Sequence, residues 1–284
     1  MPATPVQLVE CPRDAFQGLP RRIPTDRKIA HLLRLVDAGF RTIDFGSFVS
    51  EKAVPQMADT AAVWNAMPKD KGVAWIAIVA NERGADEAAT RGVPFAGFPL
   101  SVNETFQRRN TNKDFAATWP MLSSIAKRLS DSDTRLVVYL SMAFGNPYGE
   151  PHDPARVVDF ARRAEQLGAA AVSLADTVGA ASPERIQPVF EAARAAVSSP
   201  VGLHLHQRPE NVAAVVTSAV EAGCRRLDAA LGGIGGCPFA GDALVGNLPT
   251  EEVVALFRRL GYDPGVGDLG ACVESARAIL HDHE

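Results

Sequence analysis

Residues 167–176 read LGAAAVSLAD. Leu167 closes an amphipathic run in which Val157, Val158, Phe160, Ala161 and Ala164 recur at helical spacing. Gly168 is the residue type that stops a helix, because it accepts a left-handed backbone without steric cost. The stretch AAVSLA (170–175) then has the length and continuous apolarity of a buried strand, and it ends on Asp176. A helix end, a stop and a strand therefore follow one another within a single short phrase.

The same unit recurs on both sides of it. Strands are expected at VQLVE (6–10), RTIDF (41–45), VAWIAIV (73–79), PFAGFP (94–99), RLVVYL (135–140), VGLHL (201–205) and CRRLDA (224–229), besides 170–175. Amphipathic stretches at 25–38, 84–91, 115–130, 155–167, 183–197 and 209–222 lie between them. Pro24-Thr25, Asp153-Pro154, Ser182-Pro183 and Pro249-Thr250 read as helix starts, and Gly39, Gly92, Gly168 and Gly223 as stops. Eight strands alternating with about eight helices predict one (β/α)8 TIM barrel over residues 1–284. A doubly wound open sheet is the alternative, but its phosphate-binding glycine loop is missing: CPRDAFQ follows the first strand.

Composition narrows the function. The 284 residues are 46% hydrophobic with a formal net charge of −4, and the arginine doublets at 21–22, 108–109 and 225–226 form no basic stripe for nucleic acid. Cys11, Cys224, Cys237 and Cys272 lack zinc-ribbon or disulfide-framework spacing. No apolar run approaches a bilayer span, and MPATPVQLVECPRD has no secretory pattern, so a cytoplasmic protein is expected.

In a barrel, chemistry belongs at the C-terminal ends of the strands. Arg13, Asp14 and Gln17 follow the first strand; Asp44 and Ser47 mark the second, and Asn81 follows the third. Tyr139 to Ser141 lie on the fifth, Asp176 and Thr177 follow the sixth, and Cys237 and Asn247 come after the eighth. In GLHLHQRPEN (202–211), His204 and His206 share one face of a strand. Alone, such a pair is as readily two unrelated polar residues. With Asp14 supplying a carboxylate and Asn247 an amide oxygen, the four make a shell suited to Mg²⁺ or Mn²⁺. Singly, Asp14 would cap a turn and Asn247 would hold a loop. Arg13, beside Asp14, can stabilise an oxyanion, although an exposed arginine is commonly only salt-bridged. A thiol at Cys237, in GIGGCPFAG, is a candidate for proton transfer, whereas the other cysteines read as core. Asp176 can orient His204 or a substrate, or simply cap the turn after it.

The phrases VECPRDAFQ, TIDFGSFVSEKAVPQMAD, SVNETFQRRN, YLSMAFGNPYGE, VSLADTVG, LHLH, LGGIGGCPFA and GNLPTEE run in order from about residue 6 to 278. By these the chain resembles the hydroxymethylglutaryl-CoA lyases, metal-dependent carbon–carbon lyases built on TIM barrels. The resemblance implies that Asp14, His204, His206 and Asn247 bind Mg²⁺ or Mn²⁺. It implies catalytic work for Arg13, Asp176, His204 and Cys237, and places Arg13, Gln17 and Asp44 near the substrate. The reaction it implies is cleavage of 3-hydroxy-3-methylglutaryl-CoA to acetyl-CoA and acetoacetate, with an acyl-CoA as the partner molecule. No nucleic acid or membrane is expected, and a homodimer or other homo-oligomer is. The departures are Cys11 and Ala15 where the family has glycines, Asp44 for Glu, and Gln207 with RPEN where Asp and a T-Y-G-Q phrase are usual. A lyase for a different 3-hydroxyacyl-CoA, a Claisen synthase and a silent acyl-CoA-binding barrel are the competing expectations.

Overall fold

The computed structural model describes residues 3–235 and 245–283. Its strands are β1 (Gln7–Glu10), β2 (Thr42–Ser47), β3 (Ala74–Ile78), β4 (Phe95–Ser101), β5 (Arg135–Ser141), β6 (Ala171–Asp176), β7 (Val201–Leu205) and β8 (Arg226–Ala229). Each pairs in parallel with the next, and β8 returns to β1 in the register Gln7↔Arg226 to Glu10↔Ala229. The ring is closed, as the alternation of the sequence predicts. A short parallel pairing of Thr4–Pro5 with Tyr262–Asp263 joins the first described residues to the C-terminal part of the chain.

Helices Thr25–Asp37, Glu82–Thr90, Phe115–Ser130, Pro154–Gln166, Pro183–Ala196 and Val212–Glu221 occupy the amphipathic stretches. Local chemistry sets their ends. Asp153 Oδ1 accepts from the Ala155 amide at 2.9 Å, with Pro154 at the first helical position where its missing N–H costs nothing. Gly168 ends that helix at φ +84°. Pro209 opens a separate 3-10 turn, Pro209–Asn211, so the helix expected from 209 begins at Val212. Helices Pro12–Phe16, Thr60–Ala66, Glu104–Thr111 and Gly270–His283 lie outside the amphipathic stretches, and Thr250–Arg259 starts at the expected Pro249-Thr250.

Residues alternate along each strand between two cores. Ile43, Phe45, Val138, Leu174, Leu203 and Leu227 face outward into the layer between sheet and helices. Full burial of such a side chain contributes roughly 1.5–3 kcal/mol. Phe45 packs tilted against Trp64 and edge-to-face against Trp75, at 5.4 and 5.7 Å between ring centroids. Ile78, Val137, Tyr139 and Ala171 form a separate small cluster on the inner face. Towards the C-terminal ends the inner face turns polar, and the register sets Val9, Asp228 and His204 side by side. In β2 a bulge between Asp44 and Gly46 shifts the pairing with β3. A Cβ at Gly46 would lie 2.7 Å from the Thr60 side chain, so the bulge is close-packed as well as bent.

The phrase VPQMAD has a scaffolding role. Gln56 is buried; its Oε1 accepts from the Ile23 amide at 2.8 Å, and its Nε2 donates to the Leu19 and Arg21 carbonyls at 3.1 and 3.0 Å. Lys28 donates to the Gln56 carbonyl and, at 2.7 Å, to Asp59. The chain leaving the Arg13–Gln17 turn is thereby pinned to the loop after β2.

Candidate metal centre and active site

The short helix Pro12–Phe16 presents Arg13 and Asp14 from the end of β1, both buried. Arg13 forms a fork with Asp44 of β2: Nε donates to Oδ2 at 3.0 Å and Nη2 to the same oxygen at 2.5 Å. Its Nη1 donates to Asp14 Oδ1 at 2.9 Å and to Gln17 Oε1 at 3.1 Å. Gln17 Nε2 closes the group on Asp14 Oδ1 at 2.8 Å. Burial works against the Arg13 charge, but Asp44 and Asp14 outweigh it and hold the guanidinium above its ordinary value. For Asp14, burial is countered by Arg13, then by His206 and His204, and the carboxyl sits well below the usual range. Burial pushes Asp44 upward, with Arg13 opposing.

His204 lies one residue before the end of β7 and His206 just beyond it, with their Nε2 atoms 3.1 Å apart. Asp14 Oδ2 lies 3.3 Å from His206 Nε2 and 3.9 Å from His204 Nε2. The outer nitrogens are engaged elsewhere. His206 Nδ1 donates to the Val245 carbonyl at 2.9 Å, and His204 Nδ1 faces Asp228 Oδ2 at 3.3 Å. Both partners are acceptors, so each Nδ1 is placed to donate, and a neutral ring so engaged turns an Nε2 lone pair inward. Two lone pairs and a carboxylate oxygen facing one another call for a cation between them. Asn247 reaches the same point: its Nδ2 donates to Asp14 Oδ2 at 2.8 Å and to the Ile234 carbonyl at 2.9 Å, and its buried Oδ1 has no partner. The carboxylate and the two imidazoles fit a divalent ion that keeps open positions, while Asn247 turns its N–H rather than its oxygen towards Asp14.

Asp14, Gln17, Arg13, Asp44, His204, His206 and Asn247 thus gather in one place. Asp176 takes up the turn-capping role that stood beside orienting His204 or a substrate: its carboxylate accepts the Val178 and Ala181 amides at 3.0 and 2.6 Å and so braces the turn after β6. The carboxylate that meets His204 is Asp228. Gln207 bridges two rim loops, its Nε2 donating to the Ala181 carbonyl at 2.8 Å and its own amide to Gly246 O at 2.9 Å. An aspartate there has no N–H for the first of these bonds. Asn81, on the rim, caps the helix Glu82–Thr90 through the Gly84 amide at 2.9 Å. Cys237 lies outside the described residues. Cys11, in place of a glycine, is buried, and burial followed by the nearby carboxylates drives its thiol well up.

Sequence reasoning passes over Asp228, Arg226 and Glu10. Each is a charged residue inside a strand of a barrel, and that placement is the available signal: such a side chain needs a buried partner.

The HMGL-like family model matches residues 6–278. The hydroxymethylglutaryl-CoA lyase of Bacillus subtilis (strain 168) is 31% identical over 256 residues, covering 90% of this chain and 85% of that protein. The lyase of the same name from Pseudomonas mevalonii is 31% identical over 264 residues, with 93% and 87% covered. Among solved structures, the HMG-CoA lyase from Bacillus subtilis superposes with a TM-score of 0.92 at 30% identity, covering 100% of this chain and 95% of that one. An HMG-CoA lyase from Acinetobacter baumannii, in complex with coenzyme A and 3-methylmalate, gives 0.90 at 31% identity, with 98% and 92% covered. On the family match, the identity along nearly the whole chain and the shared barrel, this chain belongs to the HMGL-like family.

Proposed function

We propose that the protein cleaves 3-hydroxy-3-methylglutaryl-CoA to acetyl-CoA and acetoacetate in a retro-Claisen reaction that depends on a divalent cation. The observation that carries this reading is the meeting of Asp14, His204 and His206 at a point bordered by the Arg13 guanidinium. It is supported by relatives named hydroxymethylglutaryl-CoA lyases and by a neighbour holding coenzyme A beside a hydroxy-diacid.

Asp14, His204, His206 and Asn247 would hold Mg²⁺ or Mn²⁺. When bound there, the ion would supply Lewis acidity to the oxygens of the substrate. In the cleavage a general base takes the 3-hydroxyl proton, C3 becomes the ketone of acetoacetate, and the C2–C3 electron pair passes to C2 as the enolate of acetyl-CoA. Arg13 is suited to the enolate oxygen. A guanidinium has five N–H donors; the Nε–H, one on Nη2 and both on Nη1 are committed to Asp44, Asp14 and Gln17. One Nη2–H is left for a ligand, and Asp44 fixes its direction. Asp176 contributes by holding the 178–181 turn, and Cys237 is assigned the proton that quenches C2.

The test is a metal-replete assay with 3-hydroxy-3-methylglutaryl-CoA that follows acetyl-CoA and acetoacetate separately. Stoichiometric formation of both is expected. No cleavage by protein shown to contain the ion refutes the reading.

A further inference from the structure

Behind the ligand nitrogens, β8 sends two charged side chains into the barrel. Arg226 and Asp228 are 5% and 1% exposed. Arg226 Nη1 donates to Asp228 Oδ1 at 3.0 Å, and the other oxygen, Oδ2, faces His204 Nδ1 at 3.3 Å. Room for the guanidinium comes from β7: a Cβ at Gly202 would lie 2.9 Å from Arg226 Nη1 and 3.0 Å from its Cγ. Cys11, His204 and Asp228 also bring potential ligand atoms together here. The Arg226 guanidinium already supplies the positive charge beside Asp228, so this cluster is a support and not a second ion site.

The geometry points to Arg226 and Asp228 as a pair of positioning residues that lock His204 as its Nδ1–H tautomer, keeping the Nε2 lone pair turned towards the ion. The inference rests on the metal-site reading above. Its logic is one of hydrogen-bond polarity. A carboxylate can only accept, so it accepts from Arg226 on one oxygen and from His204 on the other. An amide at the same place has one accepting and one donating end. Arg226 can only donate, so after Asp228→Asn it claims the amide oxygen and leaves the amide N–H facing His204 Nδ1. The ring must then accept at Nδ1 and carry its proton on Nε2, where the ion belongs. If Arg226 is also replaced by a residue of similar bulk without donors, the amide is free to turn over, present its oxygen to His204 and restore the working tautomer.

The experiment measures Mn²⁺ affinity of the metal-free protein by titration, without turnover. Asp228→Asn is expected to raise the dissociation constant about ten- to hundredfold, the usual effect of losing such a partner. Arg226→Met/Asp228→Asn should recover most of that loss, although it removes one further buried partner. A merely structural role predicts the opposite order, with the double variant the worse. Equal affinity of Asp228→Asn and the parent, or a double variant as weak as the single one, overturns the lock. A second measurement needs no variant: nitrogen-15 histidine spectra of the metal-free parent at mildly alkaline pH should show His204 protonated at Nδ1, and protonation at Nε2 overturns the proposal. Failure of the parent to bind Mn²⁺ or Mg²⁺ would overturn the metal reading itself, and the lock with it.

Discussion

Glu10 ends β1 with 1% of its surface exposed, and its carboxylate has two partners: the Leu231 amide at 2.9 Å and the Thr250 hydroxyl at 2.5 Å. Burial raises its pKa from 4.5 to about 8, against the pull of those hydrogen bonds. The folded protein therefore holds this proton more tightly than the unfolded chain does. The corresponding stability is complete below 4.5 and drains away as pH rises through about 8. At about 1.4 kcal/mol per pH unit the full swing is about 5 kcal/mol. Glu10→Gln keeps both contacts, its oxygen accepting from Leu231 and its amide donating to Thr250, and removes the charge. Urea unfolding midpoints of parent and variant, compared between mildly acidic and alkaline buffer, isolate Glu10 from Asp44 and Asp176, which burial also raises. The parent should lose several kcal/mol more than the variant across that interval. Parallel curves for the two proteins would refute the reasoning.

Other consequences follow from the site and its supports. Arg13→Lys keeps a charge but cannot fork onto Asp44 while reaching Asp14, so turnover should fall about a hundredfold or more with bound metal retained; metal analysis beside kinetics checks this, and unchanged kcat contradicts it. His206→Ala should lower metal content and activity together, and normal metal content would remove His206 from the ligand set. Gln56→Ala strips three backbone groups of residues 19–23 of their partner. At about 1 kcal/mol for each bond, it should cost roughly 2–4 kcal/mol in urea unfolding, and a change below 1 kcal/mol argues against the clamp.

The barrel was legible because glycine stops precede four of the eight strands and several helices open on a Pro or N-cap pair, and because outward-facing residues such as Ile43, Leu203 and Leu227 are apolar. Helices Thr60–Ala66 and Glu104–Thr111 escaped notice for opposite reasons. TAAVWNA is short, and ETFQRRNT has too few apolar residues to trace a stripe, its start being set by Asn103 accepting from the Phe106 amide. Position along a strand end located Asp14, His204 and His206. It could not locate Asp228, because its partners are a residue two places earlier and an imidazole on the next strand, a relation created by register alone. Asp176 shows the converse: its place on the rim left open a tie to His204 or a substrate and a turn cap, and the amides of the turn after it take both oxygens.

The proposed ligands come from distant parts of the sequence. Asp14 follows the first strand, whereas His204 lies in the seventh and His206 and Asn247 follow the seventh and eighth, and the seam between β8 and β1 runs among them. During synthesis the carboxylate emerges early and waits for nearly the whole polypeptide before its partners exist. A nascent chain, or a product truncated before residue 247, can hold most of the strands and still have no centre. On the proposed metal reading, capture of an ion would report that the last strand has found the first.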